Sequence, residues 1–166
     1  VPERTVVIGL GNPLLGDDGI GLAALQRLRA EWSLPDSVEL VDGGIWGMRL
    51  LPDIEDADRL VLVDAIDIGG VPGTLQVLER EEIPRYLETK LSPHQVDLRD
   101  VLALADLRGT LPQETVAIGL QPAAVEWSEA MSREVCAGLD ALVEAVVRRL
   151  EDWGLACTRA PATTHA

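Results

Sequence analysis

The chain has 166 residues, 47% hydrophobic and 25% charged, with 28 acidic against 14 basic side chains and a formal net charge of −14. One domain of that length buries about 70% of the surface its unfolded form exposes, and with no Phe and one Tyr its core must be built from Leu, Val, Ile and Ala. The charge argues against gripping a phosphate backbone or an anionic membrane surface; it suits a partner that is basic or carries a cation, or serves solubility alone.

No apolar run is long enough to span a bilayer, and residues 1–5 lack the basic and apolar regions of a secretory leader. Cys136 and Cys157 form no C-x-x-C pair and neither has a nearby His in the sequence. The expectation is a soluble cytoplasmic protein without a disulfide framework, with Cys136 as a small core residue.

Val6 to Leu10 reads as a buried first strand. A helix is expected from about residue 17 to 32, with Ile20, Ala24, Leu28 and Trp32 on one face. Val38–Val41 is the second strand, ending at the turn Asp42-Gly43-Gly44, and residues 46–55 form a helix with Leu50, Leu51 and Ile54 inward. Residues 59–65 are the clearest strand: Leu60-Val61-Leu62-Val63 is continuously apolar and ends on Asp64, as expected when helices cover both faces.

A glycine-rich loop, 69–73, leads to a fourth strand over Thr74–Leu78. The connection is too short for a helical crossover, so this strand should run antiparallel to the third. Ser92-Pro93-His94-Gln95 starts a helix by its chemistry, with Ser92 as N-cap, Pro93 in the first helical position and Gln95 closing a capping box. Thr115–Leu120 is the fifth strand. The last helix, about 128–153, places Val135, Leu139, Leu142, Val143, Val146, Val147 and Leu150 on one stripe. The order predicts a three-layer α/β/α sandwich on a five-stranded, mostly parallel mixed sheet with one antiparallel strand. The domain is expected over 1–153, with a disordered tail over 154–166.

Gly9-Leu10-Gly11-Asn12-Pro13-Leu14 looks like a dinucleotide fingerprint but has Leu14 in place of its third glycine. Asp17 and Asp18 at the helix start would repel a pyrophosphate. Gly9 and Gly11 are explained as well by close packing of the strand end on a helix. Asp18, Asp64 and His94 are better candidates for chemistry. Ligands of open α/β sheets bind beyond the carboxyl ends of the strands; if the first and third strands are neighbours, the loops bearing Asp18 and Asp64 meet there, and His94 can reach the same crevice. Two carboxylates and one imidazole suit zinc or nickel, in an open and exchangeable site. Against this, Asp17 and Asp18 can be helix caps, a satisfied His is common, and Asp42-Gly43-Gly44 can be a plain strand exit. On spacing alone the triad and the structural explanation stand level, although a carboxylate after a buried strand, as at Asp64, demands compensation.

These residues carry a resemblance. Gly9-Leu10-Gly11-Asn12 with Gly16-Asp17-Asp18-Gly19-Ile20-Gly21, then Asp42-Gly43-Gly44, Val63-Asp64-Ala65, Pro72-Gly73-Thr74 and Lys90-Leu91-Ser92-Pro93-His94-Gln95 fall in the order of the hydrogenase maturation endopeptidases, which process the large subunit of nickel-iron hydrogenases. The resemblance reaches to about residue 150. It implies an α/β/α sandwich and an enzyme that removes a C-terminal peptide from the large-subunit precursor after nickel insertion. It places the family's metal-contacting and catalytic positions on Asp18, Asp64 and His94, with nickel borne by the substrate and no permanent cofactor. The first position is Glu in many members, so Asp18 is a shorter ligand. The family's substrate-recognition segment falls on Asp42, Gly43 and Gly44, followed here by Ile45 where many members have Thr.

Two other classes share features with the chain. A nickel-binding accessory protein would share the triad without cleaving anything. The Gly-Leu-Gly-Asn-Pro stretch also opens peptidyl-tRNA hydrolases, but the Tyr and Arg-His-Asn segments that follow it there are missing, and the charge is wrong for tRNA.

Overall fold

The computed structural model describes residues 3–45, 47–88 and 93–161, with residues 93–96 described by their backbone. Strand β1 (Thr5–Leu10) runs into a 3-10 turn, Gly16–Gly19, and helix α1 (Ile20–Glu31). A short strand, β2 (Trp32–Ser33), follows, then β3 (Val38–Gly44), a 3-10 turn over Gly47–Leu50 and helix α2 (Leu51–Glu55). Next come β4 (Arg59–Ala65), β5 (Leu75–Glu79), a 3-10 turn over Arg80–Glu82, α3 (Ile83–Leu87) and α4 (Pro93–Leu107). The chain continues through β6 (Glu114–Leu120), α5 (Arg133–Asp152) and β7 (Thr158–Arg159).

The main sheet has the order β3-β1-β4-β6-β5, parallel except for the β5–β6 pair. The three central strands are buried almost throughout, whereas edge strands β3 and β5 are largely exposed or half-buried. Continuous apolar runs therefore mark the centre of the sheet, where both faces must be dry. Val6, Ile8, Leu60 and Leu62 pack under α2, α3 and α4, while Val7, Val61 and Val63 pack under α1 and α5. The expected sandwich is observed. All seven apolar positions of the α5 stripe are buried, and Ser132 caps that helix by accepting a hydrogen bond from the Val135 N–H at 3.3 Å.

The fourth expected strand, β5, runs opposite to β4 but does not touch it; β6 inserts between them. Several local expectations change. Asp42, Gly43 and Gly44 lie inside β3 rather than in a turn after it, with a bulge between the pairs Gly9–Asp42 and Leu10–Gly44. Trp32 leaves the α1 face and enters β2, which pairs antiparallel with β7. That pairing, with Arg159 over the Trp32 ring at 4.9 Å, gives structure to a segment expected as tail, because Leu155 and Cys157 find apolar surface on the α1–α5 face. Residues 162–166 lie outside the described residues. Cys136 is exposed, on the outer side of α5, and not in the core. The expected capping box of Ser92 and Gln95 lies outside the described side chains, as does Trp46. Among the described residues no helix is long and apolar enough to cross a membrane.

Candidate active site

Strands β1 and β4 are hydrogen-bonded neighbours, and their chains part at the carboxyl ends: β1 leads through α1 to β3 on one side, β4 to β5 at the opposite edge. This is the divergence at which open α/β sheets bind ligands. Glycines let the first loop sit against it. Gly11 has φ +121, and a Cβ there would lie 1.8 Å from the Asp18 carbonyl oxygen. A Cβ on Gly21 would lie 2.2 Å from the Val63 carbonyl and 2.3 Å from that of Leu10. Helix α1 thus begins directly against the ends of both strands, carrying the Gly16–Gly19 turn with it. The motif glycines serve close packing, as their spacing allowed.

Asp17 and Asp18 are both fully buried and have different tasks. Asp17 Oδ2 accepts from the N–H groups of Ala123 (2.8 Å) and Ala124 (3.2 Å), and its Oδ1 accepts from Ser132 N–H at 2.7 Å. It caps neither the 3-10 turn nor α1. It fastens the distant loop between β6 and α5, which corrects the expectation of a local cap. Asp18 Oδ2 accepts from Asn12 N–H at 2.9 Å, bending the loop back over the end of β1.

Asp64 is also fully buried, one residue before the end of β4, and its Oδ1 accepts from the Ala65 N–H at 2.8 Å. By strand alternation it shares a face with Leu62 and Ile66, the face covered by α3 and α4. Asp18 and Asp64 each make further polar interactions, as a buried carboxylate requires. His94 lies in the first turn of α4. A Cβ on Gly47, just past β3, would lie 2.4 Å from the Asp97 Cβ, so that turn stands at the carboxyl end of the sheet. Its side chain lies outside the described ones. Among the described residues no three His, Cys, Asp or Glu side chains cluster as a metal site. The expected openness is not seen at the two carboxylates, which have no exposed surface. Asp42, on the bulged end of β3, is exposed at the same end of the sheet.

Two residues here escaped the sequence reading. Gln121, directly after β6, is buried; its Oε1 accepts from the N–H groups of Ile68 and Gly70 at 3.0 Å each, and its Nε2 donates to Asp67 at 2.7 Å, shaping the loop after β4. The signal that singled out Asp64, a polar residue at the end of a buried strand, applies to it equally. Tyr86, the only tyrosine, is buried in the core under α4, with its hydroxyl unpartnered among the described residues. Burial, and then the charge of Asp64, push its phenol well above the ordinary range, so it stays neutral. Nothing in its sequence neighbourhood marked it. A cavity of about 320 Å³, lined by Ile83, Pro84, Leu87, Leu102 and Leu111 among others, opens between α3 and α4 and does not include the carboxylates.

Known proteins match this fold and loop order. The family model described as hydrogenase maturation protease matches residues 22–149. The hydrogenase expression/formation protein HupD of Rhodobacter capsulatus is 38% identical over 160 residues, covering 95% of this chain and 76% of its own. The hydrogenase 2 maturation protease of Escherichia coli is 37% identical over 153 residues, covering 92% and 93%. The solved structure of the hydrogenase maturating endopeptidase HybD from E. coli superposes with a TM-score of 0.89 at 36% identity, covering 94% of this chain and 97% of that one. The [NiFe] hydrogenase maturation protease HybD from Thermococcus kodakarensis gives 0.71 at 28% identity, covering 88% and 98%.

Proposed function

Because the chain belongs to the hydrogenase maturation protease family, we propose that this peptidase removes a C-terminal peptide from a nickel-iron hydrogenase large-subunit precursor after nickel insertion. In this reading Asp18, Asp64 and His94 engage the nickel carried by the precursor, and Asp42, Gly43 and Gly44 line the path of the substrate chain. The observation that carries it is the placing of two buried carboxylates, Asp18 in the turn that follows β1 and Asp64 at the end of the adjacent strand β4, with the first turn of α4 at the same end of the sheet.

Carboxylate and imidazole donors suit a borderline divalent ion. No thiolate is needed, so the ion can be released with the product. The burial of both carboxylates gives the reading a further element: the groups over them must give way before a metal reaches their oxygens. A precursor lacking nickel offers nothing to repay that displacement, so cleavage waits for the metal. Hydrolysis then adds water across one peptide bond, its hydroxyl going to the carbonyl carbon and its proton to the departing amine. The enzyme works in the cytoplasm, where its precursor is made.

The test is to incubate the protein with nickel-loaded and nickel-free precursor and follow C-terminal mass loss. Cleavage of the loaded form alone is expected; equal cleavage of both would sink metal recognition. Asp18→Ala, Asp64→Ala and His94→Ala should each reduce processing by at least about 100-fold while the circular dichroism spectrum stays native.

A further inference from the structure

Eight large apolar side chains are exposed among the described residues, and five of them, Leu14, Ile45, Met48, Val71 and Trp127, lie on loops and a 3-10 turn at the carboxyl end of the sheet. Trp127 is the most exposed of the five, at 79%. It sits in the loop between β6 and α5, and that loop is not loosely held. The three N–H groups that Asp17 binds come from it. Ser128 N–H also donates to the Leu14 carbonyl at 2.9 Å, and Gly16 N–H to the Ser128 carbonyl at 2.7 Å. The loops bearing Leu14 and Trp127 are therefore stitched together, four residues before Asp18.

A large aromatic side chain left in water on a braced loop is costly for a lone domain and suited to an interface, where it enters without ordering entropy still to be lost. Exposed Glu126 and Glu129 flank Trp127, and the whole chain carries −14, so the complementary face is apolar at its centre and basic at its rim.

We infer that Trp127 and Leu14 form a docking patch for the hydrogenase precursor, binding an apolar, basic-rimmed surface of it beside the cleavage site, with Asp17 as the buried brace that presents the patch. The identity of the occupant rests on the proposed function; the patch itself rests on exposure and on the bracing bonds. Trp127 acts in binding and not on the reacting atoms.

The experiment measures both steady-state cleavage and equilibrium binding of nickel-loaded precursor for the wild type, Trp127→Ala, Trp127→Phe and Leu107→Ala, the last an exposed apolar control at the end of α4. Expected are rises of about tenfold or more in KM and Kd for Trp127→Ala with kcat near wild type, partial recovery in Trp127→Phe and no change in Leu107→Ala. Wild-type affinity should fall as salt is raised; salt-independent binding would remove the basic rim. Unchanged KM and Kd in Trp127→Ala and Trp127→Phe, with cleavage intact, would overturn the patch and leave the protease reading standing. Trp127-dependent binding without cleavage would do the reverse. A wild type that neither binds nor cleaves the precursor overturns both.

Discussion

Asp17 and Asp18 are neighbours in sequence, chemically identical and equally buried, yet one braces a distant loop and the other holds its own loop. The difference lies in their acceptor geometry. Asp17 spends both oxygens on three backbone N–H groups more than 100 residues away. Asp17→Ala would take the acceptor from three part-buried donors, a loss of about 1–3 kcal/mol. Asp17→Asn keeps one acceptor but turns the other oxygen into a donor, so it should lose nearly as much. Urea unfolding checks this: a lower midpoint with unchanged slope is expected in both variants, and a wild-type midpoint in Asp17→Asn would refute the brace. Asp18, whose Oδ2 accepts from the Asn12 N–H, differs in the expected readout: Asp18→Ala should act on processing, as the proposed function requires.

At the scale of elements, contacts between backbones set the geometry. Helix α1 can start against β1 and β4 only because position 21 has no Cβ; Gly21→Ala places a methyl 2.2 Å from a carbonyl oxygen of the sheet. Neither backbone can yield without breaking the sheet, so the variant should lose about 3 kcal/mol, read as a fall in Tm, with processing lost along with the fold. The far side of the sandwich is tied differently. Glu79 at the end of β5 accepts from both terminal nitrogens of Arg149 on α5, at 3.0 and 2.5 Å, and Arg149 and Arg59 each lie within 6 Å of the Trp153 ring. Bonding to Arg149 holds the Glu79 carboxyl below its ordinary range. A lowered folded-state value means that the pair's stabilisation is complete above the ordinary carboxylate value of 4.5 and is lost as pH falls through the folded value. Glu79 is half exposed, so the effect is under about 1 kcal/mol. Thermal melts should show Glu79→Gln below wild type at pH 7 and level with it in acid; a gap that persists in acid would assign it to packing.

For the whole molecule, charge and topology act together. An excess of 14 negative charges on a 166-residue chain opposes a polyanionic partner, and the sheet order gathers the chemically distinctive residues at one end. Composition and periodicity were sufficient for the fold class, the parallel centre of the sheet and the α5 stripe, because dry two-sided strands and amphipathic helices impose local patterns that each segment carries alone. They also marked Asp64, since a carboxylate closing a buried strand is a local anomaly. They did not reveal that β6 separates β4 from β5, that Asp42 stays within a bulged strand, that residues 158–159 pair with β2, or that Asp17 serves a loop over 100 residues away. Each of those depends on contacts between segments distant in the chain, whose energy no local stretch records. The sequence by itself determined which residues had to be buried and which were chemically out of place. Only the tertiary structure decided that Asp17 would brace a loop over 100 residues away while Asp18 would bend its own loop back over the end of β1, because those partners meet only when distant segments pack.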